Sequence, residues 1–128
     1  MTTPGFKYQM ANPTQMTASL TQNRHDFIRR VMSGLSAQWP MSLGVEFDHQ
    51  SDGTGHHLQM RYYRNACSML QIREILVHRF EHADTFRNCR VAMDDQNNLV
   101  IHAPTAGKPM TAEAIEAFLT QSLALCRL

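Results

Sequence analysis

The sequence predicts an α+β domain ordered helix, hairpin, helix, hairpin, helix, with the helices packed on an antiparallel sheet. Three observations carry this. Apolar residues recur at helical spacing in three separated segments. Between them apolar and polar residues alternate as in strands. Turn-forming residues sit where the alternation breaks. With 128 residues, 43% hydrophobic and 18% charged, the chain suits one core of ordinary size and is too apolar for wholesale disorder.

Residues 1–18 read as a flexible tail, punctuated by Pro4, Gly5, Asn12 and Pro13, and residues 19–128 as a single domain. Within the tail Phe6, Tyr8 and Met10 alternate, which leaves a short docked strand open. The first helix is expected from about Thr21 to Gln38. Phe27, Ile28, Val31 and Leu35 form its apolar stripe, extended by Leu20 and Trp39, and Pro40 stops it. Two strands follow. In the first, Leu43, Val45 and Phe47 alternate with Gly44, Glu46 and Asp48; in the second, Leu58, Met60 and Tyr62 alternate with Gln59, Arg61 and Tyr63. The Asp52-Gly53 pair between them is a hairpin signal, because glycine accepts the positive φ that the turn needs.

The second helix is expected from about Ser68 to Ala83. Ser68 with Gln71 makes a capping box, and Met69, Ile72, Ile75, Leu76, Phe80 and Ala83 make the apolar stripe. A second hairpin turns at residues 94–98, with Val91 and Met93 before it and Leu99, Val100 and Ile101 after it. The last helix starts at a Thr111 cap. Glu113 in its first turn complements the helix dipole, and Ile115, Phe118, Leu119, Ser122, Leu125 and Cys126 lie on one side.

Composition narrows the function. Lys and Arg number 12 against 11 Asp and Glu, for a net charge of +1, which argues against charge-driven nucleic-acid binding. The run Arg61-Tyr62-Tyr63-Arg64 interleaves base and ring as single-strand binders do, but it stands alone; its plain reading is one tyrosine inside and one outside. No apolar run approaches the ~20 residues that cross a bilayer, so no membrane association is expected. The start of the sequence lacks the basic and apolar regions of a signal peptide. Cys67, Cys89 and Cys126 are odd in number and widely spaced, which suits free thiols in a reducing cytoplasm. Cys67, near a helix start, is the one thiol placed for a lowered pKa.

Seven histidines raise the question of a metal. His78-Arg79-Phe80-Glu81-His82 matches the H-x-x-E-H string of inverted zinc peptidases, and Glu74 shares a helix face with both histidines. The string is short, and little chain remains downstream to supply a third ligand. A solvated helix face explains it, so His78 and His82 are not expected to bind zinc. His56 and His57 point to opposite sides of a strand, though His49 can meet one of them across the hairpin. No Gly-x-Ser-x-Gly, nucleophile context or phosphate loop is present. Hence no catalytic residue, no metal and no cofactor is expected, and the chain reads as a non-enzyme.

The stretch Ile75-Leu76-Val77-His78-Arg79-Phe80-Glu81-His82-Ala83, followed by Cys89-Arg90-Val91-Ala92-Met93-Asp94, resembles the second helix and following strand of class I type III secretion chaperones. Asn98-Leu99-Val100-Ile101 and the Thr111–Arg127 helix resemble their last strand and third helix. The resemblance covers roughly residues 21–128 and rests on order, spacing and pattern. The family places three strands between its first two helices, whereas residues 41–67 show alternation for two. The resemblance implies a cytoplasmic homodimer that holds the N-terminal segment of an effector protein in extended form and keeps it competent for secretion. A small α+β interaction, immunity or regulatory module unrelated to secretion remains the alternative.

On this reading Met32, Met41, Leu43, Val45, Leu58 and Met60 border a partner-binding groove, where methionine adapts to varied guest side chains. Phe27, Val31 and Leu35 pack inward. Leu70 and Val77 lie off the main stripe of the second helix, so they are expected in a dimer interface.

Overall fold

The computed structural model describes residues 19–128; the segment read as a tail, with Phe6, Tyr8 and Met10, lies outside the described residues. The elements are β1 (Ser19–Leu20), α1 (Arg24–Met32), β2 (Ala37–Ser42), β3 (Val45–Asp52), β4 (Gly55–Tyr62), α2 (Met69–Glu81), β5 (Arg90–Met93), β6 (Leu99–His102) and α3 (Ala112–Leu125). The strands form one sheet in the order β1-β2-β3-β4-β6-β5. β1 joins β2 in parallel, and every other pair is antiparallel. The α+β class stands and, as expected, the strands share one sheet, but the expected order does not hold: a three-stranded meander replaces the first hairpin, and β1 adds a parallel edge.

The difference begins in α1, which ends at Met32 instead of running to Gln38. Gly34 adopts φ +76°. The Leu35 N–H reaches back to the Arg30 carbonyl at 3.0 Å and the Gly34 N–H to that of Val31 at 2.9 Å. This is a Schellman stop, which needs a left-handed residue just past the helix. Freed from the helix, Ala37, Trp39 and Met41 turn inward along β2 while Pro40 and Ser42 face out. Trp39 therefore extends a strand, and Leu35, expected in the helix stripe, is exposed. Pro40 does not stop a helix; it sits where the pairing of β2 with β3 shifts register between Trp39 and Ser42. A proline lacks the N–H of a ladder and settles at bulges and edges. β1 pairs only with Ala37 and Gln38, just short of it.

The core lies between one face of the sheet and the three helices. Phe27, Ile28 and Val31 of α1, Ile72 and Ile75 of α2, and Ile115, Phe118, Leu119 and Leu125 of α3 share a cluster with Trp39, Val45, Phe47, Leu58, Met60, Tyr62, Leu99 and Ile101 of the strands. Trp39 stacks on Phe47 with centroids 5.6 Å apart, and Phe27 approaches Trp39 at 5.9 Å. Each such side chain contributes about 1.5–3 kcal/mol by burial. The predicted caps are present: Ser68 Oγ accepts from the Gln71 N–H and Gln71 answers the Ser68 N–H, and Thr111 accepts from the Ala114 N–H.

Candidate interaction surface

α2 starts well and is anchored on one side. Its capping box satisfies two backbone donors at 2.8 and 3.1 Å. Arg79 Nε donates to the Cys89 carbonyl at 2.9 Å, and His78 Nδ1 lies 3.1 Å from the Leu125 carbonyl, to which it donates. Yet only Ile72 and Ile75 of this helix are buried among its large apolar residues. Met69, Leu70, Leu76, Val77 and Phe80 are all exposed, Phe80 to 84% and Leu70 to 65%. At 100° per residue Met69, Leu76 and Phe80 fall in one line with Arg73 among them, and Leu70 and Val77 fall beside it. A shallow depression of about 310 Å³ runs along this flank, lined by Leu70, Arg73, Glu74, Val77, Glu81 and Arg127 among others. An apolar stripe this broad on a helix that already has a buried face is the most distinctive surface among the described residues.

The six residues expected to border a groove separate into two groups. Val45, Leu58 and Met60 are core residues, at most 3% exposed. The register of β3 and β4, with Phe47 opposite Met60 and Val45 opposite Tyr62, puts them on the sheet face that shares its cluster with the helices. They cannot line an open groove. Met32 is exposed at the end of α1, Met41 is half-buried in β2, and Leu43 stands 99% exposed at the β2–β3 turn. Leu70 and Val77 are both on the exposed stripe of α2. Sequence reasoning missed its main line, Met69, Leu76 and Phe80, by assigning those residues to the core; the pattern alone cannot say which side of a doubly apolar helix faces inward.

The opposite face of the sheet is polar and internally satisfied. Arg61 pairs with Asp48 at 3.0 Å, Glu46 at 3.4 Å and Asp94 at 3.5 Å. Tyr63 donates to Glu46 at 2.9 Å. Burial, with help from neighbouring Glu46, pushes the Asp48 carboxyl up to about 6 despite Arg61. The basic-aromatic run read from residues 61–64 is thus engaged within the chain, with Tyr62 in the core.

Cys67 is buried, and burial pushes its thiol up, the reverse of the lowering its place before α2 suggests; desolvation outweighs the helix terminus and nearby Arg64. Cys89 and Cys126 are raised to about 11 and 12 by burial as well. His78 and His82 meet edge to face at 5.0 Å. Among the described residues no group of three or more His, Cys, Asp or Glu side chains is placed to hold a metal ion. His49 meets His56 across the β3–β4 hairpin, with ring centroids 5.4 Å apart.

A family model described as HrpV-like matches residues 14–124. The chain belongs to the HrpV-like family. The match spans α1 through nearly all of α3 and links the chain to type III secretion. Searches of curated proteins and of solved structures each returned no match. The HrpV-like chain places three strands, β2 to β4, between its first two long helices. That is the number implied by the resemblance to class I secretion chaperones. No helix among the described residues is long and apolar enough to cross a membrane.

Proposed function

We propose that this HrpV-like chain is a cytoplasmic, non-catalytic binding protein of type III secretion, working as a homodimer that holds the N-terminal segment of an effector in extended form. The observation that carries the reading is the exposed stripe of α2. Five large apolar side chains in solvent are a standing aggregation risk unless another surface covers them. A second copy covers them economically: a twofold axis crossing α2 sets the stripe against itself, and Arg73 within it meets the Glu74 and Glu81 flank of the partner subunit. Met32, Met41 and Leu43 remain for the guest, together with the outer edge of β2, which β1 covers only at Ala37 and Gln38; an extended chain can join a strand edge by backbone pairing. Val45, Leu58 and Met60 have no part in it.

A second reading follows from the family match, which ties the chain to type III secretion and not to an effector: the guest is a regulatory protein of the same system. The surfaces are the same and the partner differs. Light scattering on the purified protein should give twice 14.6 kDa at micromolar concentration, and the Leu70→Asp/Val77→Asp variant should give the monomer mass with its fold retained. A wild-type monomer sinks the dimer. Co-purification with effector N-terminal segments, against secretion-system regulators, then separates the two guests.

A further inference from the structure

The packing between α1, the β3–β4 hairpin and the loop after β6 holds two imidazoles that no function above uses. His49 is fully buried and His56 nearly so. Their rings lie parallel, tilted by only 4°. His49 Nδ1 is 2.7 Å from the Leu35 carbonyl, so it carries the proton and Nε2 is left bare. That Nε2 and the Nδ1 of His56 are buried without a hydrogen-bond partner. Both rings sit where separate segments are clasped together. His49 holds Leu35, at the corner between α1 and β2. His56 exchanges backbone hydrogen bonds with Ala106 at 2.7 and 3.1 Å, and a Cβ at Gly34 would meet both its Cε1 and the Pro109 ring at 3.4 Å.

We propose that His49, stacked on His56, is the acid-sensitive element of a latch, which clasps the α1–β2 corner to the β6–α3 loop while the His49 ring is neutral and releases it when that ring is protonated. A His49 imidazolium in this buried place needs a hydrogen-bond acceptor at Nε2 that the described residues do not supply, and it lies against a second ring instead of an anion. The surroundings offer no rescue. Arg30 of α1 donates to the Ser36 carbonyl, which adds positive charge on the corner side. His57 points to the other face of β4, where it is held by Asp52 and Thr54. Lys108, beside Pro109 in the loop, is exposed. Among the described residues no carboxylate is paired with either latch ring. Asp48 precedes His49 but lies on the opposite face of β3, paired with Arg61. Burial, the largest influence, holds the His49 ring below its ordinary 6.5, with His56 and His57 lowering it further against the Leu35 bond. A depressed histidine stabilises the fold fully above its unfolded value and loses that contribution as pH falls through the folded one. The clasp is therefore complete above pH ~6.5 and weakens below it. β1 begins its pairing at this corner, with the Ser19 N–H on the Ser36 carbonyl at 3.4 Å, so release also loosens the strand that covers the β2 edge.

Asp48 titrates in the same range with the opposite sign, so global melting is a poor readout and local hydrogen exchange is the suitable one. Exchange of the full chain is followed by mass spectrometry at pH 7.5 and 5.5, corrected for intrinsic rates. Segments 33–38 and 104–109 should lose protection about tenfold or more at pH 5.5 while the centre of β3 and β4 holds. The His49→Asn/His56→Phe variant, which keeps a donor for Leu35 and removes both imidazoles, should show no such loss. Equal protection in the wild type at both pH values, or the same acid loss in the variant, overturns the latch. Nitrogen NMR of the wild-type His49 imidazole keeps the test open if the variant fails to fold: His49 should remain the Nδ1–H tautomer at pH 6, and a His49 ring titrating freely near its ordinary 6.5 with the corner still protected overturns it equally.

Discussion

Asp48 shows how a single residue can be costly where it stands and still be well surrounded. Its carboxylate touches Arg61 at 3.0 Å, yet loss of water outweighs that attraction and the group is raised from 3.8 to about 6. A carboxyl raised on folding binds more protons folded than unfolded between those values, so its contribution falls as pH rises through them. Charged Asp48 therefore costs about 2–3 kcal/mol at neutral pH relative to its neutral form. Asp48→Asn should melt with the wild type near pH 4 and several degrees above it at pH 8, Arg61 keeping Glu46 and Asp94. Melting curves across that range check this; a variant less stable at pH 8 would mean that the ion pair outweighs the desolvation. At the same scale, Gly34 was plain in the sequence as a residue and silent as a signal, since the Trp39-Pro40 pair beyond it looked like the stop.

At the scale of elements, α2 is the least secured helix. Two buried isoleucines and the Arg79 and His78 hydrogen bonds hold it inward, so its local caps matter more than they would in a deeply packed helix. Ser68→Ala removes one half of the capping box and should cost about 1 kcal/mol, visible as a lower denaturation midpoint with an unchanged slope. An unchanged midpoint would mean that partner contacts, not the cap, hold this turn. α2 was also the most legible element, because a capping box and a four-turn apolar stripe specify start and length independently of context. α1 was legible as a helix but not in its bounds, since it starts at Arg24 after an Asn23 cap and not at Thr21. Its end and β2 were confused because Ala37, Trp39 and Met41 alternate over too few residues to compete with a helical stripe running into them.

Over the whole molecule, the central strands are buried on the helix side and polar on the other, so one substitution separates a closed core from an open groove. Val45 is 3% exposed beneath the helices. Val45→Asp should leave no cooperative thermal transition, because a buried unpaired charge costs several kcal/mol, comparable to the stability of a domain this size. A variant that melts normally but loses its partner would return Val45 to a binding surface. Leu43→Asp, at a site 99% exposed, should melt as the wild type does.

The sequence by itself determined the α+β class, the β3–β4 and β5–β6 strand pairs, the starts of α2 and α3 and the unmatched apolar residues Leu70 and Val77. These are local properties: periodicity, caps and turn residues act within a few positions along the chain. Only the tertiary structure decided the strand order of the sheet, that β2 exists, that Val45, Leu58 and Met60 are core, and that His49 stacks on His56 with one nitrogen of each ring left unpartnered among the described residues. Each depends on which of two apolar faces finds a neighbour, and that is set by packing between segments far apart in the chain, where the buried area is greatest. The exposed stripe of α2 belongs to both. Its apolar character is written in the sequence, and its exposure is set by α2 burying the side that carries Ile72 and Ile75.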